Sequence, residues 1–130
     1  VLHIAAGDRS LLLTGDIEAP SEADLLTQRA ALATDVVVVP HHGSRTSSTV
    51  EFVAAIAPSV AIVAGGYRNR FGHPRAEVLA RYRRIGAAYV RTDLAGAIML
   101  TLEPGAVPLA QGERDRRRRY WYDALDVASR

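Results

Sequence analysis

Four valines in a row, Val36 to Val39, run directly into Pro40-His41-His42-Gly43-Ser44-Arg45-Thr46-Ser47-Ser48. An unbroken β-branched run without polar alternation is the pattern of a strand buried on both faces, as in the parallel sheet of a layered α/β domain. Residues just past the C-terminal end of such a strand line the crevice where open α/β sheets bind ligands. An earlier apolar run, Leu11-Leu12-Leu13-Thr14, ends in the same manner, in Gly15-Asp16. Two strand ends therefore bring a carboxylate and two imidazoles, donor types that suit a metal-dependent hydrolase.

The rest of the chain supplies matching elements. Val1 to Ala5 and Leu11 to Thr14 read as strands around the turn Ala6-Gly7-Asp8-Arg9, a hairpin signal. Ser21 is placed to cap a helix that carries Leu25, Leu26 and Leu32 and ends near Ala33. Ser48 and Glu51 stand in capping-box spacing ahead of Val50, Val53, Ala54 and Ala57, a helix that Pro58 stops. Val60 to Ala64 is a further buried strand. Pro74 suits the first turn of a helix bearing Val78, Leu79, Tyr82 and Ile85, which Gly86 ends. Tyr89 to Thr92 and Ala97 to Leu102 predict a closing strand pair around Asp93 to Gly96. Strands alternating with helices of about ten residues predict an α/β architecture, and terminal hairpins make its sheet mixed.

Bulk properties exclude several classes. The 130 residues are 48% hydrophobic and 23% charged, which suits one globular domain or a piece of one. No apolar run approaches the roughly 18 residues of a membrane span. With no cysteine, disulfides and thiolate metal sites are ruled out. The net charge of +2 is small, and arginine supplies every one of the basic residues. The chain opens on Val1 within a strand-like segment, which predicts an excised piece of a larger domain.

Each chemical feature has a plainer alternative. Asp16 can bridge two metal ions through its two oxygens, or can be a turn residue ahead of a helix. Neighbouring side chains point in different directions, so one histidine of the pair is expected to ligate. His41, directly after the strand, is assigned that role, and His42 orients it, contacts substrate or carries protons. The alternative is a polar loop of exposed histidines. Ser44, Arg45, Thr46, Ser47 and Ser48 run into a helix N-terminus, where free N–H groups and the helix dipole favour a phosphate; they equally suit simple capping. Arg68-Asn69-Arg70-Phe71-Gly72-His73-Pro74 brings cations and a third histidine to the same sheet edge. His3, inside a strand, reads as structural. Arg116 to Arg119 beside Trp121 form a solvated face or a nucleic-acid contact.

Leu-Leu-Thr-Gly-Asp-Ile-Glu at 12 to 18, His-His-Gly-Ser-Arg-Thr-Ser-Ser at 41 to 48, Arg-Phe-Gly-His-Pro at 70 to 74 and Arg-Thr-Asp-Leu-Ala-Gly-Ala-Ile at 91 to 98 occur in that order. Together they resemble the C-terminal metallo-β-lactamase-like domain of the ComEC family of DNA internalization competence proteins. The resemblance covers roughly residues 1 to 103 and leaves 104–130 as a basic, aromatic tail. It implies half of an αββα sandwich, a mixed β-sheet flanked by helices. It also implies a two-metal site of Zn or Mn, with Asp16 bridging, His41 ligating, His42 and His73 as catalytic residues, and Ser44 to Ser48 facing the substrate phosphate. Such enzymes carry an HxHxDH motif and a further histidine upstream, which this sequence lacks, so only the C-terminal half is expected here, binding metal weakly and catalysing poorly on its own.

For the intact parent the resemblance implies metal-dependent hydrolysis of the non-imported DNA strand. The parent would be an uptake channel of the bacterial inner membrane, with this soluble domain on the periplasmic face. The implied partners are DNA, the remainder of the channel protein and a second copy bound through exposed sheet. Two rivals are a non-catalytic DNA-binding module of the channel and a hydrolase of another ester or lactone. A serine hydrolase built on Ser44 is disfavoured by the lack of a G-x-S-x-G elbow.

Overall fold

The structure, a computed structural model, describes residues 1–28 and 32–117. In chain order the elements are β1 (Leu2–Ala6), β2 (Arg9–Leu13), α1 (Ala19–Thr27), β3 (Val36–Val38), α2 (Val50–Ile56), β4 (Val60–Val63), α3 (Ala76–Arg84) and β5 (Ala88–Arg91). Four more close it: α4 (Thr92–Ala95), β6 (Ile98–Thr101), β7 (Leu109–Gly112) and α5 (Glu113–Arg116). The first five strands form one mixed sheet in simple sequence order. β1 pairs antiparallel with β2 through Leu2↔Leu13, and β2, β3, β4 and β5 run parallel. This is a mixed α/β fold compatible with half of an αββα sandwich.

The layering follows from strand order and period. Each parallel connection steps to the next strand in the same direction, and crossovers are right-handed, so α1, α2 and α3 must share one face. Residues alternate across a strand, and register places Leu12, Val37, Ala61 and Tyr89 side by side on that face. They pack with Phe52, Val53 and Ile56 of α2 and with Val78, Leu79 and Tyr82 of α3. Burying each such apolar side chain contributes roughly 1.5–3 kcal/mol. On the opposite face Val36, Val60 and Ile62 pack against Ile98, Leu100, Leu102 and Ala110, the inner side of the β6–β7 ribbon.

Several sequence expectations need correction. Tyr89 to Thr92 and Ala97 to Leu102 do not pair: β5 completes the large sheet, Thr92–Ala95 coils into α4, and β6 pairs with β7. Residues past 103 are therefore partly inside the fold, since β7 and α5 follow; those from 118 onward, including Tyr120 to Tyr122, lie outside the described residues. Ser21 does not cap α1, whose N-cap is Glu18 with Pro20 in the first turn, and the helix ends at Thr27 rather than Ala33. Thr49, not Ser48, caps α2 and accepts from Phe52 N at 3.3 Å. Pro74 precedes α3 rather than entering it. No helix of the described residues is long and apolar enough to cross a membrane.

The two ends of the parallel strands have different jobs. At the N-terminal end, Asp35 accepts from Arg9 Nη1 (3.0 Å), Ser10 N (2.8 Å) and Ser10 Oγ (3.1 Å), while its carbonyl accepts from Ser59 N and Val60 N. That knot joins β2, β3 and β4. The C-terminal ends carry Gly15-Asp16, the His41-His42 turn, the loop from Ala64 to Pro74, and Thr92.

Candidate functional site

Backbone bonds force the histidine turn into place. Val39 N donates to Ile62 O (2.9 Å), extending β3 along β4, and His41 N donates to Gly15 O (3.1 Å). Pro40–Gly43 then forms one tight turn in which His41 (φ 47°) and His42 (φ 55°) both take left-handed backbone. Two successive non-glycine residues there are uncommon, and such strain persists only where the surroundings over-determine it. Gly43 supplies part of that constraint. At φ +82° it lies so close to the next loop that a Cβ would sit 2.6 Å from Pro74 Cβ, and its carbonyl accepts from Arg75 N at 2.9 Å.

This geometry separates the two histidines. His42 Nδ1 lies 2.6 Å from the Ala64 carbonyl, so Nδ1 carries a proton and donates it to that oxygen. Nε2 is 3.6 Å from Asp16 Oδ1. A histidine whose outer nitrogen is fixed by a carbonyl presents its other nitrogen in the manner of a metal ligand. His41 turns the other way, with Nδ1 3.0 Å from Glu18 Oε1 but out of line for a hydrogen bond. The two rings stand 6.4 Å apart, and His73 lies 6.1 Å from His41. Burial pushes the His73 imidazole below its ordinary pKa, with the Arg75 charge and the neighbouring imidazoles adding to the effect. It is therefore neutral at neutral pH, and its buried Nδ1 has no hydrogen-bond partner.

The serines of the adjoining loop do not face outward as a phosphate cradle would require. Ser47 is buried and its hydroxyl donates to Pro40 O (2.9 Å) or Ser44 O (3.1 Å). Ser48 is buried, its Oγ 3.1 Å from Tyr82 Oη. Ser44 Oγ is engaged with Thr46 at 3.1 Å. Arg45 and Thr46 are exposed, Arg45 paired with Glu77 (2.7 Å) and Thr46 donating to Glu18 (2.7 Å). The expectation that Ser47 and Ser48 grip a phosphate is thus corrected, because their hydroxyls are spent inside the fold.

A residue missed in the sequence explains why. Glu22 of α1 is wholly buried and its carboxylate accepts from Ser48 N at 2.5 Å and Thr49 N at 2.8 Å. The protein's own carboxylate fills the anion site at the start of α2. Glu18, within the motif at 12 to 18, likewise leaves no sign in the sequence of its contacts with His41 and Thr46.

A catalytic metal takes about three protein ligands and keeps a position open. Asp16 and His42 offer a carboxylate and an imidazole, a pair suited to Zn or Mn. Among the described residues, no group of three or more His, Asp or Glu side chains is placed to hold an ion. The donor set therefore fits part of a metal centre.

Fold and strand-end constellation together describe a mixed α/β domain with a partial carboxylate–imidazole site. The chain is 40% identical over 108 residues to Competence protein ComA of Neisseria gonorrhoeae, an alignment covering 82% of this chain and 16% of that protein. It is 37% identical to ComE operon protein 3 of Bacillus subtilis over 75% of this chain and 13% of the relative. With Recombination protein 2 of Haemophilus influenzae it shares 35% identity over 75% of this chain and 12% of the relative. These similarities support a competence-related family, of whose members the chain spans about one-eighth to one-sixth. No family model matches the chain, and no solved structure matches it.

Proposed function

We propose that this chain belongs to a DNA-uptake protein and supplies part of a metal-dependent phosphodiester-hydrolysing site that acts on the strand not imported. Involvement in competence and DNA uptake rests on the names of the relatives. The hydrolytic reading rests on one observation above all: His42, held at Nδ1 by Ala64 O, turns Nε2 toward Asp16. From the resemblance, we place the chain as a soluble domain on the periplasmic side of an inner-membrane protein.

In this reading Asp16 and His42 hold a divalent ion with donors from elsewhere in the protein. When bound, such an ion lowers the pKa of water and offsets charge developing on a phosphoryl oxygen. The chain's own groups do the positioning. The Ala64 carbonyl fixes the tautomer of His42. His41, its Nδ1 3.0 Å from Glu18 Oε1, and neutral His73 stand beside this pair. Arg45 and Thr46 are the exposed members of the loop that can meet a phosphate.

Calorimetric titration of this chain with Mn²⁺ and Zn²⁺ tests the proposal. Asp16→Ala and His42→Ala should each weaken binding by at least about tenfold, and His41→Ala should weaken it less. Equal binding by all three variants and the parent chain would remove the metal site. The second reading, a DNA-binding module without catalysis, draws on the donor set's shortfall of a third ligand among the described residues.

A further inference from the structure

Beside the site, the loop that carries Ala64 and His73 also carries two rings that none of these roles uses. Between β4 and α3, Tyr67 and Phe71 leave 60% and 58% of their surface exposed, unusual for large rings in an ordered turn. Each ring carries a guanidinium: Arg68 lies 5.2 Å from the Tyr67 centroid and Arg70 4.9 Å from that of Phe71. Arg114 of α5 lies 5.9 Å from the Tyr67 centroid. Phe71 is stacked on His73 at 6.0 Å and 15°, which ties it to the His41–His42 cluster.

The loop is built, not loose. The Asn69 amide donates to His73 O (2.7 Å) and accepts from His73 N (3.0 Å), closing the turn with its own side chain. Thr92 Oγ1 accepts from Gly65 N (2.8 Å) and donates to Gly65 O (2.7 Å), clamping the start of the loop to the end of β5. The rings are therefore presented at a fixed place, with cations beside each.

We propose that this lip is a stacking platform for single-stranded nucleic acid, with Tyr67 and Phe71 receiving bases and Arg68 and Arg70 meeting the backbone phosphates. Every base has a π-face, so aromatic platforms with adjoining arginines bind single strands without reading sequence. A duplex keeps its bases stacked on one another and cannot use the rings. The platform rests on the nucleic-acid reading above and narrows it to the form of substrate delivered to the Asp16–His42 edge.

The test uses this chain in EDTA, with fluorescence anisotropy of a labelled oligothymidylate of about 12 nucleotides and of a duplex of equal length. The single strand should bind better than the duplex. Phe71→Ala and Tyr67→Ala should each weaken it roughly five- to a hundredfold. Phe71→Trp should keep binding, whereas Phe71→Leu, equally apolar, should not. Arg68→Gln and Arg70→Gln should each reduce the log–log salt slope by about 0.7. A strand carrying 2-aminopurine should change emission on binding the parent chain and not Phe71→Ala.

Equal binding by the aromatic variants, no preference over duplex, or no binding at all would overturn the platform. So would a Phe71→Ala change in sedimentation with DNA binding unaltered, which would assign the rings to contact between copies. The Mn²⁺ titration separates the two ideas. If Asp16→Ala and His42→Ala leave metal binding unchanged while the lip variants lose DNA, the hydrolase reading falls and the platform stands; the reverse pattern removes the platform alone.

Discussion

The carboxylate of Glu22 reaches from one helix to another and accepts the backbone N–H of Ser48 at 2.5 Å. With its second bond to Thr49 N, it replaces what a bound anion would offer the start of α2. Glu22→Ala leaves one buried and one half-buried donor without partners and should destabilise the fold by about 3 kcal/mol, read as a lower urea midpoint. Glu22→Gln should be nearly as harmful, since its NH₂ faces one of the two N–H groups.

The knot at the other end of the sheet predicts a pH response. Burial pushes the Asp35 carboxyl up, but the Ser10 N–H, the Arg9 guanidinium and the Ser10 hydroxyl outweigh it and hold the group below its ordinary value. A carboxyl depressed in the folded state contributes stability above its unfolded pKa of about 3.9, and that stability is lost as pH falls through the lower folded value. Urea midpoints should therefore drop on acidification below about pH 4. Asp35→Asn should be less stable at pH 7 and lose part of that slope.

Gly43→Ala tests how the histidine turn is held. The added methyl meets Pro74 at a backbone angle that L residues seldom adopt. A loss of about 2 kcal/mol is expected. Because His41 and His42 flank this contact, Mn²⁺ affinity should fall along with the melting temperature. A variant as stable as the parent would mean that the two loops can part at little cost.

Ser48 and Tyr82 offer a cleaner measurement. Their hydroxyls meet at 3.1 Å in the core, and burial pushes the Tyr82 phenol above its ordinary pKa. Ser48→Ala and Tyr82→Phe should each cost about 1 kcal/mol, and the double variant distinctly less than their sum. Strict additivity would show that the hydroxyls do not interact.

Which of these features were legible in the sequence depends on what kind of signal each leaves. Val36 to Val39 and Val60 to Val63 declare buried parallel strands, because nothing polar interrupts them. β7 left almost none: Leu109-Ala110-Gln111-Gly112 has no β-branched residue, and its pairing with β6 is a tertiary matter. The run from Tyr89 to Leu102 resembles a hairpin in pattern, and only the geometry shows the helical turn between two separate sheets. Spacing identifies hydroxyls but not their direction, so Ser47 and Ser48 read as ligand-facing when they are turned inward. An acid in the first turn of α1 likewise reads as serving its own helix, whereas Glu22 serves α2. The left-handed angles at His41 and His42 leave no trace in residue type, and they decide which imidazole meets Asp16.

The division of labour along the parallel strands also has a practical side. Ser59 and Ala88 lie with Asp35 at the end remote from the histidines, where backbone pairing continues across β3, β4 and β5. A fluorophore or surface tether attached near Ser59 would report on the molecule, or immobilise it, with the chemistry-bearing edge left facing solution.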